Sequence, residues 1–263
     1  MRLHRLPSTL ANKAKASWRE KRFRKAVKSF RLNEDFDRIY HYHVRKTGGT
    51  SINKMFHSLS GESPDAVYNK LTSTNPRRIC VNEYVFAAWQ KNLLEGGNYH
   101  YGFSHLPFDQ LTLPERTFTF TCFRDPVQRV VSHYRMLLEL RDAPTQHKCL
   151  VTEGEWIGNS FAEFLDNTPD AHLLNQLYMF DSELRIATAL ENVHSLNHWI
   201  FLDDFAPGIA KLNAKANIQL AVMHTRRGTV KYSPVPADLE TLRARLQPEY
   251  AFLQQLKPET SRG

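Results

Sequence analysis

The segment HYHVRKTGGTSINKMF, residues 41–56, joins a stretch rich in aromatic and β-branched residues to a stretch that can form a helix. Gly48 and Gly49 permit a tight turn between the two, and Thr50 or Ser51 suits a helix N-terminus. Backbone N–H groups gather at such a turn, and the helix dipole adds partial positive charge to them. The segment therefore predicts a strand, an anion-binding loop and a helix in direct succession.

The order of residues in this loop differs from that of the nucleotide-binding P-loop. The Walker pattern G-x-x-x-x-G-K-[ST] has its lysine after the glycines, whereas Lys46 precedes them here. The glycines alone would favour a plain strand-to-helix turn with surface hydroxyls. Lys46, together with the hydroxyl residues Thr47, Thr50 and Ser51, favours an anion site instead.

A second segment, FTCFRDPVQRVVSHY, also passes from a predicted strand through a turn into a helix. Arg124 stands at the strand end, where its guanidinium can grip an oxyanion through two hydrogen bonds. Ser132 and Arg129 follow on the helix, although they need not both face one ligand. The alternative is that Arg124 pairs with Asp125 or a helix end and that Ser132 is a packing residue.

Strands and helices alternate along the rest of the chain. Strands are predicted at residues 36–44, 98–105, 116–123 and 197–205, and residues 79–89 fit either a strand or a helix. Helices are predicted after Thr50, over 127–141, within 160–194 (entered at Ser160 and Thr168), to about Lys215, and over 233–257 with a break at Pro248. Residues 61–78 are predicted to be a loop. This alternation predicts an α/β fold around a mainly parallel sheet flanked by helices, with ligands at the carboxyl ends of its strands.

The net charge of +8 is concentrated at the N-terminus. Residues 1–31 hold eleven of the 35 Lys and Arg residues and one acid, Glu20, so the remainder is close to neutral. We therefore divide the chain into a basic arm, residues 1–35, and a single domain, residues 36–263. The arm could contact an acidic membrane surface, an anionic partner or nucleic acid, or could be a solvated leader or a helix packed on the body.

The spacing of Trp18, Phe23, Val27 and Phe30 suggests an amphipathic helix in the arm. Three cysteines without close spacing suit a reducing compartment better than a disulfide framework or a zinc site. The sequence contains no apolar run of the roughly 18 residues that span a bilayer, and its N-terminus lacks the apolar region of a secretory signal. We therefore expect a cytoplasmic protein. Its basic arm could bring it into contact with the inner face of the membrane.

RKTGGTS and FRDPVQRVVSHY together resemble two motifs of the sulfotransferases that use 3′-phosphoadenosine 5′-phosphosulfate (PAPS). The first is similar to that family's 5′-phosphosulfate loop and the second to its 3′-phosphate motif. The R-D-P-x-x-R-x-x-S-x-Y form is closest to the carbohydrate, heparan and uronyl 2-O-sulfotransferase-like branch. The resemblance covers roughly residues 36–256 and implies a three-layer, P-loop-like fold. The Golgi relatives' membrane anchor is not found in this sequence, which favours a soluble bacterial-type member.

The resemblance also implies the residues that bind the co-substrate. In the first motif they are Arg45, Lys46, Thr47, Gly48, Gly49, Thr50 and Ser51, and in the second they are Arg124 and Ser132. The segment MHTRRGTVKYSP looks like the family's basic C-terminal loop, and Arg226, Arg227 and Gly228 would form its core. An exposed basic turn is the alternative for this segment. No metal is expected to take part.

Transfer to a hydroxyl requires a base that accepts the acceptor's proton, and histidine suits this near neutral pH. His105 follows a predicted strand between the two motifs, in a setting similar to that of the catalytic histidine of the 2-O-sulfotransferase-like relatives. His105 and Lys46 are therefore the predicted catalytic residues. His100 and His43 are weaker candidates for the base, and Glu83 is held in reserve.

The expected activity is sulfuryl transfer from PAPS to a hydroxyl of a carbohydrate or glycolipid, with no nucleic acid as partner. One alternative is a P-loop-like nucleoside or small-molecule kinase that uses ATP. The position of Lys46 and the lack of a clear Walker B carboxylate argue against it. A second alternative is a protein whose basic arm binds nucleic acid or a membrane.

Overall fold

The structure, a computed structural model, describes residues 8–29, 34–145, 147–223 and 230–257. Its strands are β1 Arg38–Tyr42, β2 Arg78–Val81, β3 Tyr84–Ala88, β4 Tyr101–Ser104, β5 Thr117–Phe123 and β6 His198–Phe201. Its helices are α1 Ser8–Ser29, α2 Gly49–Ser58, α3 Pro64–Ser73, α4 Lys91–Glu95, α5 Pro126–Arg141, α6 Cys149–Glu153, α7 Phe161–Asn167, α8 Asp170–Leu173, α9 Asn175–Tyr178, α10 Ile186–His194, α11 Phe205–Ala216, α12 Pro236–Arg245 and α13 Gln247–Leu256.

The six strands form one sheet in the order β2-β3-β4-β1-β5-β6. Only the β2–β3 pair is antiparallel, and all other neighbours are parallel. β1 lies between β4 and β5, with Tyr42 opposite Ser104 on one side and Thr121 on the other. The carboxyl ends of β1, β4 and β5 therefore meet at one edge, where ligands bind in sheets of this kind.

Both faces of the sheet are buried, so the molecule has three layers. Successive side chains of a strand point to opposite faces. In β1, Tyr40 and Tyr42 pack with one hydrophobic cluster, which includes residues of α5, α7, α10 and α13. Ile39 packs with the other, which includes residues of α2, α3 and α11. The predicted α/β fold with a mainly parallel sheet flanked by helices is confirmed.

Two sequence predictions in the first half are corrected or resolved. The segment predicted as a loop over 61–78 contains α3, which begins at Pro64 and buries Val67 and Leu71 against the sheet layer. Its Ser, Asn and Thr content suggested a loop, but burial of one apolar face stabilises a helix despite weak propensity. The ambiguous segment 79–89 forms the antiparallel pair β2–β3.

Helix boundaries in the second half follow local capping chemistry. Ser160 caps α7 by accepting a hydrogen bond from the Glu163 backbone N–H at 3.1 Å, as the sequence predicted. Thr168 does not begin the next helix, because its hydroxyl donates to the Phe164 carbonyl at the end of α7. The predicted break at Pro248 is confirmed, since α12 ends at Arg245 and α13 begins at Gln247.

The described part of the basic arm is α1, which packs on the body through few residues. Phe23 is buried in the core, and Val27 is partly buried beside it. Trp18, predicted to share their face, is instead 64% exposed, and Phe30 lies outside the described residues. Among the helices that the structure describes, none is both long and apolar enough to cross a membrane.

Candidate active site

The glycine loop leaves the carboxyl end of β1 and enters α2 at Gly49. Lys46 has φ 66° and Gly48 has φ 89°, so the backbone takes the left-handed conformation at two positions separated by one residue. Backbone of this kind can form a concavity of N–H groups that suits an anion. The N–H groups of Gly49 and Thr50 at the start of α2 add to it, because the first N–H groups of a helix lack partners within it, whereas the Ser51 N–H donates to the Gly48 carbonyl at 2.9 Å. The backbone geometry of the loop is compatible with the predicted anion cradle.

Two hydroxyl residues of the loop differ in what they can offer a ligand. Thr47 is buried, and its hydroxyl donates to the Val44 carbonyl at 2.9 Å. That bond closes the loop, so the side chain of Thr47 stabilises the cradle. Of the groups of Thr47, only the backbone N–H fits the predicted role in binding the co-substrate. Thr50 is exposed and Ser51 is half-buried in the first turn of α2. These two hydroxyls lie where the predicted anion would bind.

Gly49 is required by the packing of His43 at the end of β1. A Cβ placed on Gly49 would lie 1.9 Å from His43 Nε2, far inside van der Waals contact. The imidazole of His43 therefore packs directly against the backbone of Gly49 and helps to fix the position of the loop. At the neighbouring Gly48, a Cβ would lie 2.8 Å from Leu202 Cδ1, just beyond β6, and the positive φ also favours glycine.

The second motif is placed by the end of β5 and the start of α5. Asp125 caps α5 by accepting from the Gln128 backbone N–H at 2.8 Å, and Pro126 occupies the first turn. Asp125 also accepts from Tyr250 at 2.9 Å. Among the described residues, the guanidinium of Arg124 donates to the Lys46 carbonyl and to Gln128 and not to Asp125. The predicted alternative, an Arg124–Asp125 hydrogen-bonded pair, is thus not formed.

The two motifs meet through Arg124. Its Nη1 donates to the carbonyl oxygen of Lys46 at 3.3 Å, and its Nη2 donates to Gln128 at 3.3 Å. Arg124 Nε is buried, and among the described residues it has no hydrogen-bond partner. A buried, unpaired donor on a cation is costly unless a ligand satisfies it. The guanidinium and the cradle therefore belong to one site.

One face of α5 extends this site and includes a residue that the sequence analysis missed. Gln128, Ser132 and Arg135 follow one another at spacings of four and three, so they share a helix face. Arg135 donates through Nε to the Tyr232 carbonyl at 2.8 Å. Burial lowers the pKa of Arg124, and the nearby charge of Arg135 adds to that shift. The same spacing was visible in the sequence and could have identified Arg135.

Arg129, in contrast, faces the protein interior. It is fully buried, donates to Glu249 at 3.4 Å and contacts the carbonyl groups of His172 and Leu173. Burial lowers the pKa of Arg129, while the carboxylate of Glu249 opposes that shift. Arg129 therefore has a structural role.

His105 lies just beyond β4, next to the end of β1. Its Nδ1 lies 2.6 Å from the carbonyl oxygen of His43, and the two rings are 4.6 Å apart. Because a carbonyl can only accept, Nδ1 carries the proton and Nε2 of the neutral ring has the free lone pair. Burial, followed by the charge of Arg45, lowers the pKa of His105 to about 4. The ring is therefore neutral at pH 7 and can accept a proton at Nε2.

Arg45 was predicted to bind the co-substrate, but in the structure its polar groups bind other residues of the protein. Its backbone N–H donates to Asn175 Oδ1 at 3.2 Å, and its guanidinium forms an ion pair with Glu153. Burial alone would raise the pKa of Glu153, but hydrogen bonds from His133 and Arg45 hold it at about 2. Arg45 lies close enough to His105 for its charge to act on the imidazole.

The remaining candidate site residues lie away from the cradle, are hydrogen-bonded within the protein or fall outside the described residues. His100 is buried at the start of β4 and accepts from the Val85 backbone N–H at 2.9 Å. Glu83 is exposed in the β2–β3 turn, at the opposite end of β3 from the cradle. His133, on α5, is buried, and its Nε2 lies 2.8 Å from a carboxylate oxygen of Glu153. Arg226, Arg227 and Gly228 lie outside the described residues.

The fit between Gly49 and His43 yields a prediction. Gly49→Ala should lower the melting temperature by an amount corresponding to about 1–3 kcal/mol, because the added methyl overlaps the imidazole. His43→Ala should make room, so the double variant should lose less stability than the two single losses combined. The measurement is thermal unfolding of the purified variants.

Gly154→Ala is the matched control, because the nearest atom to its new Cβ is an ordinary 3.6 Å away. It should unfold close to the wild-type temperature. A Gly49→Ala protein as stable as the wild type would show that His43 does not constrain the loop.

A model described as the sulfotransferase family matches residues 29–199, which include both motifs. No curated protein matches the chain in the sequence comparison. Among solved structures, that of a mouse sulfotransferase, SULT7A1, complexed with PAP matches with 12% identity and a TM-score of 0.31, over 89% of this chain and 71% of that one. Because the family model matches more than half of the sequence, the chain belongs to the sulfotransferase family.

Proposed function

We propose that the protein transfers the sulfuryl group of PAPS to a hydroxyl of a carbohydrate or glycolipid. Membership of the sulfotransferase family supports sulfuryl transfer in general. The observation that carries the more specific proposal is the contact of Arg124 with the Lys46 carbonyl, at 3.3 Å. It joins a cradle for one anionic group to a guanidinium for another, as a donor with two separate phosphate-containing ends requires.

The cradle would hold the 5′-phosphosulfate of the donor. The loop N–H groups, the hydroxyls of Thr50 and Ser51 and the charge of Lys46 would stabilise the negative charge that develops on the leaving phosphate. The 3′-phosphate would lie on Arg124 and Ser132. Arg135 is added to this set because it shares a helix face with Ser132 and is a second cation close to Arg124, where a bound dianion would offset the repulsion between the two charges. Arg226, Arg227 and Gly228 remain proposed from the sequence alone.

His105 is proposed as the general base. As the acceptor oxygen bonds to sulfur, the bond from sulfur to the bridging oxygen of the 5′-phosphate breaks, and the acceptor's proton passes to His105 Nε2. The carbonyl of His43 holds the opposite nitrogen as N–H, which orients the ring and fixes this tautomer. Alignment of acceptor and donor would supply much of the rate. Nothing in this scheme requires a metal.

The acceptor class is proposed from the form of the second motif. Its R-D-P-x-x-R-x-x-S-x-Y pattern favours the carbohydrate, 2-O-sulfotransferase-like branch. An ATP-dependent kinase is the alternative activity and is not favoured by the family match. The left-handed Lys46 before the glycines also differs from a P-loop lysine, which opens the helix.

The donor assignment predicts a specific ligand response. Adenosine 3′,5′-bisphosphate should raise the melting temperature without added metal, and by more than ATP with Mg²⁺ does. The reason is that only the bisphosphate has a 3′-phosphate as well as a 5′-phosphate. Lys46→Ala and Arg124→Ala should each remove most of this shift, and Lys46→Ala should lower turnover at least about a hundredfold. Lys91→Ala, at an exposed lysine of α4, is the control and should behave as the wild type. Stronger stabilisation by ATP with Mg²⁺ would refute the assignment.

The assignment of His105 predicts an unusual pH dependence. The neutral ring is the active form and is present above the pKa, so activity is lost only as the pH falls towards about 4. We expect kcat/KM to stay level from pH 8 down to about pH 5.5, instead of falling near the ordinary histidine value of about 6.5. His105→Ala should lower kcat at least about a hundredfold. The exposed His194 provides the control substitution to alanine.

A normal rate in the His105 variant would place the base elsewhere. A decline in wild-type kcat/KM centred near pH 6.5 would show instead that a solvated histidine is responsible.

We also propose that α1 contacts an anionic membrane surface. The one acid of α1, Glu20, faces inwards, where it pairs with Arg78 and accepts from Asn98 at 2.6 Å. Lys21, Arg22, Arg24, Lys25 and Lys28 are all exposed, as is Trp18, a residue type that favours membrane interfaces. Each cation near an anionic bilayer contributes about 1 kcal/mol.

Sedimentation with lipid vesicles tests this contact. The protein should sediment with vesicles that contain phosphatidylserine and not with pure phosphatidylcholine, and salt should weaken the binding. The double variant Lys21→Glu/Lys25→Glu should lose it, whereas Lys91→Glu/Lys211→Glu, with the same charge change at exposed sites elsewhere, should retain more. Equal binding by both double variants would contradict a role for α1.

A further inference from the structure

A pair of adjacent side chains on α9 holds the backbones of both motif segments. Asn175 Oδ1 accepts from the Arg45 backbone N–H at 3.2 Å, at the start of the cradle loop. Gln176 Oε1 accepts from the Arg124 backbone N–H at 2.8 Å, and Gln176 Nε2 donates to the Arg124 carbonyl at 3.0 Å. Two neighbouring residues thus bind two segments that are far apart in the sequence.

Gln176 is itself fixed by a buried carboxylate. Its Nε2 donates to Glu249 Oε1 at 2.6 Å, and its backbone N–H donates to Glu249 Oε2 at 3.0 Å. Glu249 lies on α13, is fully buried and is also paired with Arg129. Since a carboxylate only accepts, the amide of Gln176 can have only one orientation, with its oxygen towards the Arg124 N–H.

We propose that Asn175 and Gln176 are positioning residues, which set the separation of the cradle and the Arg124 guanidinium to match the two ends of the donor. This inference rests on the proposed function. Neither side chain needs to touch the donor. The last strand residue before Arg124 is Phe123, so the Arg124 backbone lies beyond the sheet, where strand pairing no longer fixes it. Gln176 supplies the missing pair of hydrogen bonds there.

A purely structural role for Gln176 would give a different pattern. Loss of its hydrogen bonds would then lower stability and leave the affinity of the folded protein for its donor unchanged. A positioning role acts through Arg124, so the two residues must be coupled in binding. The coupling of their effects on ligand affinity is the quantity that separates these cases.

The experiment is a double-mutant cycle on the full chain, read out as the Kd of adenosine 3′,5′-bisphosphate. Gln176→Met keeps the length of the side chain and removes its amide. It should weaken binding at least about tenfold. In the Arg124→Ala background the same change should have an effect of less than about twofold, because the group that it positions is absent. KM for PAPS should rise, and KM for the acceptor should not.

Asn192→Ala is the matched control. Asn192 also donates to a backbone carbonyl, that of Phe180 at 2.7 Å, and contacts neither motif segment in this way. It should leave Kd unchanged. If Gln176→Met does not fold, Asn175→Ala replaces it, and the double-mutant cycle is made with Lys46→Ala. Lys46 is the right partner because Asn175 binds the backbone at the start of the cradle loop.

The outcomes are distinguishable from failure of the proposed function. If the wild type does not bind adenosine 3′,5′-bisphosphate, the donor assignment fails, and this inference fails with it. If the wild type binds with full dependence on Arg124 while Gln176→Met binds equally well, only the positioning role is overturned. Equal losses in both Arg124 backgrounds would also overturn it.

Discussion

The hydrogen bond from Arg124 to the Lys46 carbonyl joins residues that are 78 positions apart in the chain. Its formation depends on the parallel pairing of β1 with β5, which brings the carboxyl ends of the two strands to one edge of the sheet. Each strand then leads into a helix whose first turn faces that edge. Most features of the candidate site follow from this adjacency, since each motif alone would bind only one end of a donor that has two anionic ends.

Burial of histidines gives the site its second chemical property. His41 stacks on Phe120 at 4.7 Å and on His43 at 5.1 Å, and His43 in turn contacts His105. Burial lowers the pKa of all three, so none carries a charge at neutral pH. The row of neutral rings can therefore support the loop through Gly49. It adds no positive charge that would repel the cations that an anionic donor requires. The same burial leaves His105 as a proton acceptor.

The sequence allowed the α/β class, the cradle and the start of α5 to be predicted because each depends on local chemistry. Glycines mark a turn, Asp-Pro marks a helix start, and a run of aromatic and β-branched residues marks a strand. What could not be predicted depends on contacts between distant segments. Arg45 pairs with Glu153, and Gln176 binds Arg124, through tertiary contacts that no local pattern signals. The helix α3 was missed for the same reason, since its polar composition is outweighed by the burial of Val67 and Leu71.

The central claim is that the cradle and the Arg124 guanidinium form one site for one donor molecule. A crystal structure of the complex with adenosine 3′,5′-bisphosphate measures this directly. The account predicts the 5′-phosphate within hydrogen-bond distance of the loop N–H groups at residues 47–51, and the 3′-phosphate on Arg124 and Ser132. A ligand whose phosphates both lie away from Lys46 and Arg124, or that occupies only one of the two groups, would contradict it.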